Sequence, residues 1–312
     1  MVTNKYMQIP NSYKRFLLVY NPVEGRKKAH KRLQQVVKRL LCRNCSFEVI
    51  ESKDLHERTD IQSFDSVVAV GGDGTVLSIV SVLSKYDIKL GIIPNGTANL
   101  FASGLNIPRN IDKAIDILFD GKMSMVDIGK AGEQYFALRV GVGYDADIVN
   151  GAGTFLKDRI GYLAYLIEGF KSYFRQSLKK IKITIDGKTL EVDANSVIVA
   201  NAGNMFRNLF TIAPQTSTID GKLDVFILTS KSVFDFLKVL YQILSGRHTS
   251  NSSVIYDKGS NIKIETKDIN THIDGEPWLK NTLDISVIPR ALKVLVPAPV
   301  RVPAYKKVLV EV

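Results

Sequence analysis

Short apolar runs alternate with amphipathic stretches over the first 125 residues of the chain. Residues 16–20, 65–70 and 90–93 are apolar runs bounded by turn residues and too short for helices, which predicts buried strands. From residue 26, leucines and valines recur at helical spacing among lysines and arginines, and residues 111–119 also favour a helix. Strands that alternate with helices predict a mainly parallel, doubly wound α/β sheet.

The pattern changes near residue 125, after which short runs separated by turn residues predict an antiparallel β-sandwich. Two helical stretches, 156–173 and 233–244, interrupt these runs. We therefore predict an α/β domain at 1–125, a β-sandwich domain at 126–298, and a tail at 299–312 that returns to the first domain. The predicted strands lie at 135–142, 181–185, 196–200, 223–228, 261–265 and 283–287.

Charge narrows the choice of partners. The 312 residues include 42 Lys and Arg against 31 Asp and Glu, a formal net charge of +11, which favours nucleotides, nucleic acid or an anionic membrane surface. No nucleic-acid recognition motif is present, so nucleic acid is not expected. The first 14 residues lack the apolar run of a signal peptide, and no stretch reaches the ~18 apolar residues of a membrane-spanning helix. We expect a cytoplasmic protein that docks on membranes from the water side.

The two cysteines, Cys42 and Cys45, have the C-x-x-C spacing of a redox pair or of half a metal site. No second cysteine pair exists, and the four histidines do not cluster nearby. Two incidental thiols near a helix end are therefore the favoured interpretation.

The run 67–75 carries the most specific signal, because an apolar strand enters the turn Gly71-Gly72-Asp73-Gly74-Thr75 and then a helix. Glycines let a backbone approach phosphate closely, and the free N–H groups at a helix start attract phosphate oxygens. Asp73 repels phosphate, so its expected role is to hold Mg²⁺ directly or through water. A tight strand–helix turn without a ligand is the alternative.

Several motifs together resemble the catalytic domain of the diacylglycerol kinase and sphingosine kinase family. The turn at 71–75 resembles a nucleotide motif that this family shares with NAD kinases and phosphofructokinases. The segment 20–25 resembles the opening N-P-x-S-G motif, 94–99 resembles P-x-G-T-x-N, and 274–276 matches a late D-G-E motif. The segments 126–129 and 141–146 also fit, so the resemblance spans roughly residues 16–296. Glu24 and Leu100 depart from the family pattern, where Ser and an acidic residue are common.

The resemblance implies an N-terminal nucleotide-binding domain and a β-sandwich lipid domain, with the active site in the cleft between them and with ATP and Mg²⁺ as co-substrate and cofactor. Arg26 and Lys31 lie where basic residues support the phosphates, although a solvated basic helix face is the alternative. The implied nucleotide-side residues are Asn21, Gly71, Gly72, Asp73, Gly74, Thr75, Gly96, Thr97 and Asn99.

Asp274 and Glu276 are the predicted catalytic pair. Phosphoryl transfer to an alcohol needs a group that accepts the hydroxyl proton, and a carboxylate suffices in a loose transition state. We expect Asp274 to be this base and Glu276 to orient it or to contact the metal or nucleotide. A D-G hairpin turn with a surface glutamate is the alternative.

Two further acids are predicted with competing roles. The resemblance suggests that Asp127 joins a carboxylate–water–Mg²⁺ network, and a turn residue at the domain junction is the alternative. In some family members the loop matching Asp220 holds a structural Mg²⁺. Ser217 stands where a second carboxylate ligand is expected, so a hairpin turn is favoured at Asp220.

The segment 160–174 is apolar nearly all round and is flanked by basic residues. It is either a core helix or a helix that lines the acyl-chain cleft. The predicted function is transfer of the γ-phosphoryl group of ATP to the hydroxyl of diacylglycerol or a related lipid at an anionic membrane surface, by a monomer or a homodimer. The alternatives are a soluble kinase similar to NAD kinase and a catalytically weak regulator that binds lipid or nucleotide.

Overall fold

The computed structural model describes residues 14–22, 26–43, 45–96, 98–143, 178–202, 204–205, 210–211, 217–244, 251–267 and 269–298. The tail at 299–312 and the predicted helix at 156–173 lie outside these residues. Across the described ranges, no helix has the length and apolar character needed to cross a membrane.

The N-terminal part alternates strands with helices, as the sequence predicts. Two short 3₁₀ turns, Ser52–Glu57 and Ile61–Ser63, join its second and third strands. The elements are β1 (Lys14–Tyr20), α1 (Arg26–Leu40), β2 (Cys45–Glu51), β3 (Ser66–Gly71), α2 (Asp73–Leu83), β4 (Lys89–Pro94), α3 (Leu100–Gly104) and α4 (Ile111–Asp120).

Strands dominate the second part, in which one helix is described. The predicted strands 196–200, 223–228 and 261–265 and the predicted helix 233–244 are confirmed to the residue. The elements are β5 (Lys122–Ala131), β6 (Gln134–Phe136), β7 (Arg139–Gly143), β8 (Lys179–Ile185), β9 (Lys188–Ala194), β10 (Ser196–Ala200), β11 (Asn204–Met205), β12 (Phe210–Thr211), β13 (Leu223–Leu228), α5 (Val233–Leu244), β14 (Val254–Gly259), β15 (Asn261–Glu265), β16 (Thr271–Ile273), β17 (Glu276–Trp278) and β18 (Thr282–Val296).

A ten-stranded mixed sheet runs through both parts in the order β2-β1-β3-β4-β18-β15-β8-β9, with β5 paired to β18 and β6. The first five strands of this order are parallel neighbours, and the rest pair antiparallel. The long strand β18 joins the two kinds of pairing, since it lies parallel to β4 at Lys293 and Val294 and antiparallel to β5 and β15.

The helices of the first part cover both faces of the sheet. The chain passes from β1 to β2 through α1 and, in the opposite direction along the sheet, from β3 to β4 through α2. Right-handed crossovers in opposite directions place α1 and α2 on opposite faces, and α4 contacts α1. The predicted doubly wound domain is therefore confirmed.

A second, six-stranded antiparallel sheet has the order β14-β13-β10-β7-β16-β17. Its inner side chains, such as Val142 and Val199, share one apolar core with Ile183, Ile262 and Leu283 of the large sheet. The predicted β-sandwich is therefore confirmed. The predicted domain boundary at residue 125 falls inside β5, which pairs with β18 along most of its length, so the division at that residue stays a prediction.

Candidate active site

The carboxyl ends of β1 and β3 form the point at which the strand order of the parallel sheet reverses. The chain leaves β1 toward one edge and leaves β3 toward the other. Ligands of open α/β sheets bind in the crevice outside the strands at such a reversal. Asn21 follows β1 and the turn at 71–75 follows β3, so both predicted nucleotide segments border this crevice.

Two glycine positions let the loops at the crevice close on each other. A Cβ atom at Gly71 would lie 2.1 Å from Oγ1 of Thr75, and a Cβ atom at Gly96 would lie 2.5 Å from Cα of Gly72. Any side chain at Gly96 would therefore separate the turn after β3 from the turn after β4. The hydroxyl of Thr75 is buried and has no hydrogen-bond partner among the described residues.

Asp73 joins the two loops through its carboxylate. Oδ2 accepts the N–H of Leu100 at 3.0 Å and Oδ1 accepts the N–H of Phe101 at 3.0 Å, so Asp73 caps α3 from another part of the chain. Burial raises the pKa of Asp73, and these N–H donors and the charge of Arg109 oppose the rise. Each oxygen keeps a lone pair for a cation or a water molecule.

Asn99 closes the second loop on itself. It adopts a left-handed conformation (φ 52°), its Oδ1 accepts the N–H of Gly96 at 2.8 Å, and its Nδ2 donates to the carbonyl of Gly96 at 2.8 Å. The Asn99 side chain is buried, so its role in this structure is to shape the loop. Arg109 supports the same loop by donating to the carbonyl of Ala98, and Arg32 of α1 donates to the carbonyl of Arg109.

Asp274 lies in a pocket of backbone N–H groups. Its Oδ1 accepts from Arg139 at 2.7 Å and from Leu138 at 3.1 Å, and its Oδ2 accepts from Ala137 at 2.7 Å. Burial raises the pKa of Asp274 to about 6, and the three N–H donors oppose this rise. The carboxylate is therefore held rigidly and titrates close to neutrality.

The predicted D-G hairpin and the buried acid occur together. Asp274 and Gly275 both have positive φ (49° and 97°) and connect β16 to β17, as the two-residue hairpin signal predicts. Nδ1 of His272 accepts the N–H of Gly275 at 3.1 Å and braces the turn. Glu276 begins β17 with an exposed side chain, whereas the carboxylate of Asp274 points inward.

Contacts between elements connect the parts of the structure that carry the two acidic residues. Helix α2, which begins at Asp73, contacts β6, and the three residues after β6 supply the N–H groups that hold Asp274. Helix α3, which Asp73 caps, contacts β11. Asn201 lies just before β11 and donates through Nδ2 to the carbonyl of Ala137 at 3.1 Å.

Asp127 is a structural joint between three segments. Its buried carboxylate accepts the N–H of Gly221 and the N–H of Arg290, each at 2.7 Å, and Asn201 donates to its carbonyl at 2.9 Å. Arg290 sits at the bulge of β18 with φ 55°. This arrangement favours the junction role over a place in a magnesium network.

A structural magnesium ion at Asp220 stays a prediction. The ammonium of Lys258 lies 3.1 Å from Oδ2 of Asp220 and 3.4 Å from Oδ1 of the buried Asp224. The described residues contain no cluster of three or more His, Cys, Asp or Glu that would hold a metal ion.

The remaining predicted residues contribute less. Lys31 is exposed on α1, which agrees with a solvated basic face. Arg26 begins α1, its side chain is outside the described part of the chain, and so is the whole of Thr97. The thiols of Cys42 and Cys45 are free and donate to carbonyls at the end of α1, as expected of incidental cysteines.

Asn201 and Arg109 shape the site but are not predicted from the sequence. Asn201 is fully buried and ties β5, the Asp274 pocket and β10 together, while its Oδ1 has no partner among the described atoms. A polar residue directly after the apolar strand at 196–200 is the signal that marks it. Arg109 has no comparable sequence signal, because its donation to the carbonyl of Ala98 depends on the folded loop.

Comparisons with known proteins identify the family and the fold. Residues 15–131 match the diacylglycerol kinase catalytic domain, and residues 138–296 match the YegS C-terminal NAD kinase beta sandwich-like domain. A diacylglycerol kinase of Bacillus subtilis is 31% identical over 84% of this chain and 90% of its own length. A crystal structure of a diacylglycerol kinase from Bacillus anthracis has a TM-score of 0.72 and 25% identity over 92% of this chain and 98% of its own. Yeast NADH kinase shares the fold, with a TM-score of 0.53 and 11% identity over 93% of this chain and 84% of its own.

Proposed function

Since this chain belongs to the family of bacterial diacylglycerol kinase-like lipid kinases, we propose that it transfers the γ-phosphoryl group of ATP to the free hydroxyl of diacylglycerol or a closely related lipid. The observation that carries this proposal is the path from the glycine turn to Asp274. Helix α2 starts in the glycine turn and contacts β6, immediately before the N–H groups that hold the acid. A phosphate donor and a proton acceptor would then share one gap between the two parts of the chain.

ATP would bind at the crevice with its phosphates against the turns at 71–75 and 95–99. The close approach of Gly72 and Gly96 and the buried hydroxyl of Thr75 support this placement. Mg²⁺ fits Asp73, because one or two carboxylates together with substrate phosphates usually hold this ion. When bound, Mg²⁺ would neutralise charge that develops on the phosphates.

Asp274 would accept the proton of the lipid hydroxyl. Both carboxylate oxygens accept N–H groups: Oδ1 from Arg139 at 2.7 Å and Leu138 at 3.1 Å, and Oδ2 from Ala137 at 2.7 Å and Leu138 at 3.3 Å. Glu276, exposed two residues later, would orient the hydroxyl or contact the nucleotide.

The experiment is incubation of the purified protein with Mg²⁺, ATP labelled in the γ-phosphate and a total lipid extract. We expect label in the organic phase and a phosphate-sized mass gain on a lipid with one free hydroxyl. In a parallel reaction, NAD replaces the lipid as the phosphoryl acceptor. Label in NADP would point to a soluble dinucleotide kinase, and nucleotide binding without label in either acceptor would point to a regulator.

A further inference from the structure

Helix α5 presents two large aromatic side chains to water on one face. Phe234 is 84% exposed and Tyr241 is 72% exposed. They lie seven residues apart, which is close to two helical turns, so both point in the same direction. Lys238 lies between them on the same face and is also exposed. Phe234, Lys238 and Tyr241 form what we call the outer stripe.

The outer stripe is distinct from the face of α5 that packs on the protein core. On the other side of α5, Phe236 and Val239 are buried against Ile198 and Phe226 of the six-stranded sheet. The start of the helix is fixed as well, because Ser232 and Asp235 bond to each other and the hydroxyl of Ser232 accepts the N–H of Asp235 at 3.1 Å. The helix therefore has one settled orientation, and its aromatic residues face outward in it.

We propose that the outer stripe is the surface by which this kinase docks on an anionic lipid bilayer. This inference rests on the proposed function, since a kinase whose acceptor lies in a bilayer must reach that bilayer. Aromatic rings beside a lysine suit the headgroup region, where the rings enter the interface and the ammonium pairs with lipid phosphates. The net charge of +11 also attracts an anionic surface.

The outer stripe is linked to the candidate active site through few elements. Helix α5 contacts β12, which pairs with β11, and β11 contacts α3. Asp73 binds the first two N–H groups of α3. Docking at α5 would thus hold the bilayer next to the elements that shape the nucleotide crevice.

The test compares the wild-type protein with the double variant Phe234→Ser/Tyr241→Ser and with Leu41→Ser. Leu41 is 71% exposed just after α1, so it controls for loss of an exposed apolar side chain elsewhere. Sedimentation with vesicles of phosphatidylglycerol and phosphatidylcholine, without ATP, measures binding. Turnover of a short-chain diacylglycerol in detergent micelles checks that the catalytic centre is intact.

We expect the double variant to bind vesicles at least about tenfold more weakly, because it lacks two aromatic rings that would be partly buried in the bilayer interface. Leu41→Ser should bind like the wild type, and Lys238→Gln should weaken binding mainly at low salt. Vesicle binding of the double variant within twofold of wild type overturns the inference. An equal loss of vesicle binding in Leu41→Ser also overturns it. So does a double variant that binds vesicles normally but no longer forms a dimer in light scattering, because the stripe would then contact a second copy of the chain.

The two proposals fail in different ways. A protein that binds vesicles through the outer stripe but phosphorylates no lipid supports the docking surface and contradicts the proposed function. If the protein phosphorylates micellar diacylglycerol and the double substitution leaves vesicle binding unchanged, the docking surface alone is contradicted.

Discussion

Replacing Asp274 by asparagine separates catalysis from folding at the acidic turn. The carboxylate accepts N–H groups from Ala137, Leu138 and Arg139. Asparagine has the same shape and keeps one oxygen, which can still accept two of these hydrogen bonds. The other oxygen becomes an NH₂ group, which cannot accept the third N–H and cannot take a proton from a hydroxyl.

The stability change should be small because two effects oppose each other. Burial raises the pKa of Asp274 from an ordinary value of 3.8 to about 6. The folded protein therefore binds this proton more tightly than the unfolded chain does. This tighter proton binding by Asp274 contributes most to stability below pH 3.8, and the contribution is lost as the pH rises to about 6. The total is about 3 kcal/mol, at about 1.36 kcal/mol per pH unit. Asparagine avoids this loss at pH 8 but forfeits one charge-assisted hydrogen bond, at about 1.5–3 kcal/mol.

We therefore expect Asp274→Asn to change the free energy of unfolding at pH 8 by no more than about 1.5 kcal/mol, because these two magnitudes largely cancel. Its kcat should fall by about 10²–10⁴-fold, as is usual when a general base is lost. Urea unfolding followed by circular dichroism measures the first quantity, and turnover with saturating ATP and micellar diacylglycerol measures the second.

Asp274→Ala is the matched control for the structural role. It removes every acceptor from three buried N–H groups, at about 1–3 kcal/mol each, and should be far less stable than the asparagine variant. A kcat near wild type in Asp274→Asn would refute the assignment of Asp274 as the base. A loss of stability in Asp274→Asn as large as in Asp274→Ala would contradict the cancellation on which the stability prediction rests.

Three further predictions follow from the same contacts. The logarithm of kcat/KM should fall with unit slope below about pH 6, because protonated Asp274 cannot accept a proton, and a flat pH–rate profile down to pH 5 would contradict this. Gly96→Ala should raise the KM for ATP at least about tenfold in steady-state kinetics, since its Cβ would lie 2.5 Å from Cα of Gly72 and must open the phosphate loops. Asp127→Asn should cost about 2–4 kcal/mol in urea unfolding, whereas Asp220→Asn, which loses one exposed ion pair, should cost less than about 1 kcal/mol.

The local pattern of apolar and turn residues predicts the sandwich strands well wherever local residues alone determine the ends of a strand. The apolar run at 135–142 is the instructive exception, because the sequence predicts one strand there and the structure has two, β6 and β7. The break falls where Ala137 and Leu138 turn their N–H groups toward Asp274, more than 130 residues later in the chain. A strand interrupted by a distant carboxylate leaves no periodic signal in its own residues.

The end of β18 is also not predicted, because it too depends on contacts with distant segments. The sequence predicts β18 only over 283–287, but the strand continues to Val296 past a bulge at Arg290. The bulge forms where the N–H of Arg290 binds the carboxylate of Asp127 at 2.7 Å, and the continuation is stabilised by pairing with β4 and β5. Motif order places Asp127 near the junction, but the identity of its partners depends on contacts between segments that are distant in sequence.

Asp73 and Asp274 are held by the same physical means, and this bears on how they would act. Each carboxylate is positioned by backbone N–H groups of a neighbouring segment: those of Leu100 and Phe101 for Asp73, and those of the strand break before β7 for Asp274. A lysine or arginine partner would fix such a group equally well but would neutralise it. Backbone dipoles fix the position and leave a full negative charge and a free lone pair. A site that must attract Mg²⁺ at one carboxylate and a hydroxyl proton at the other needs both of these properties.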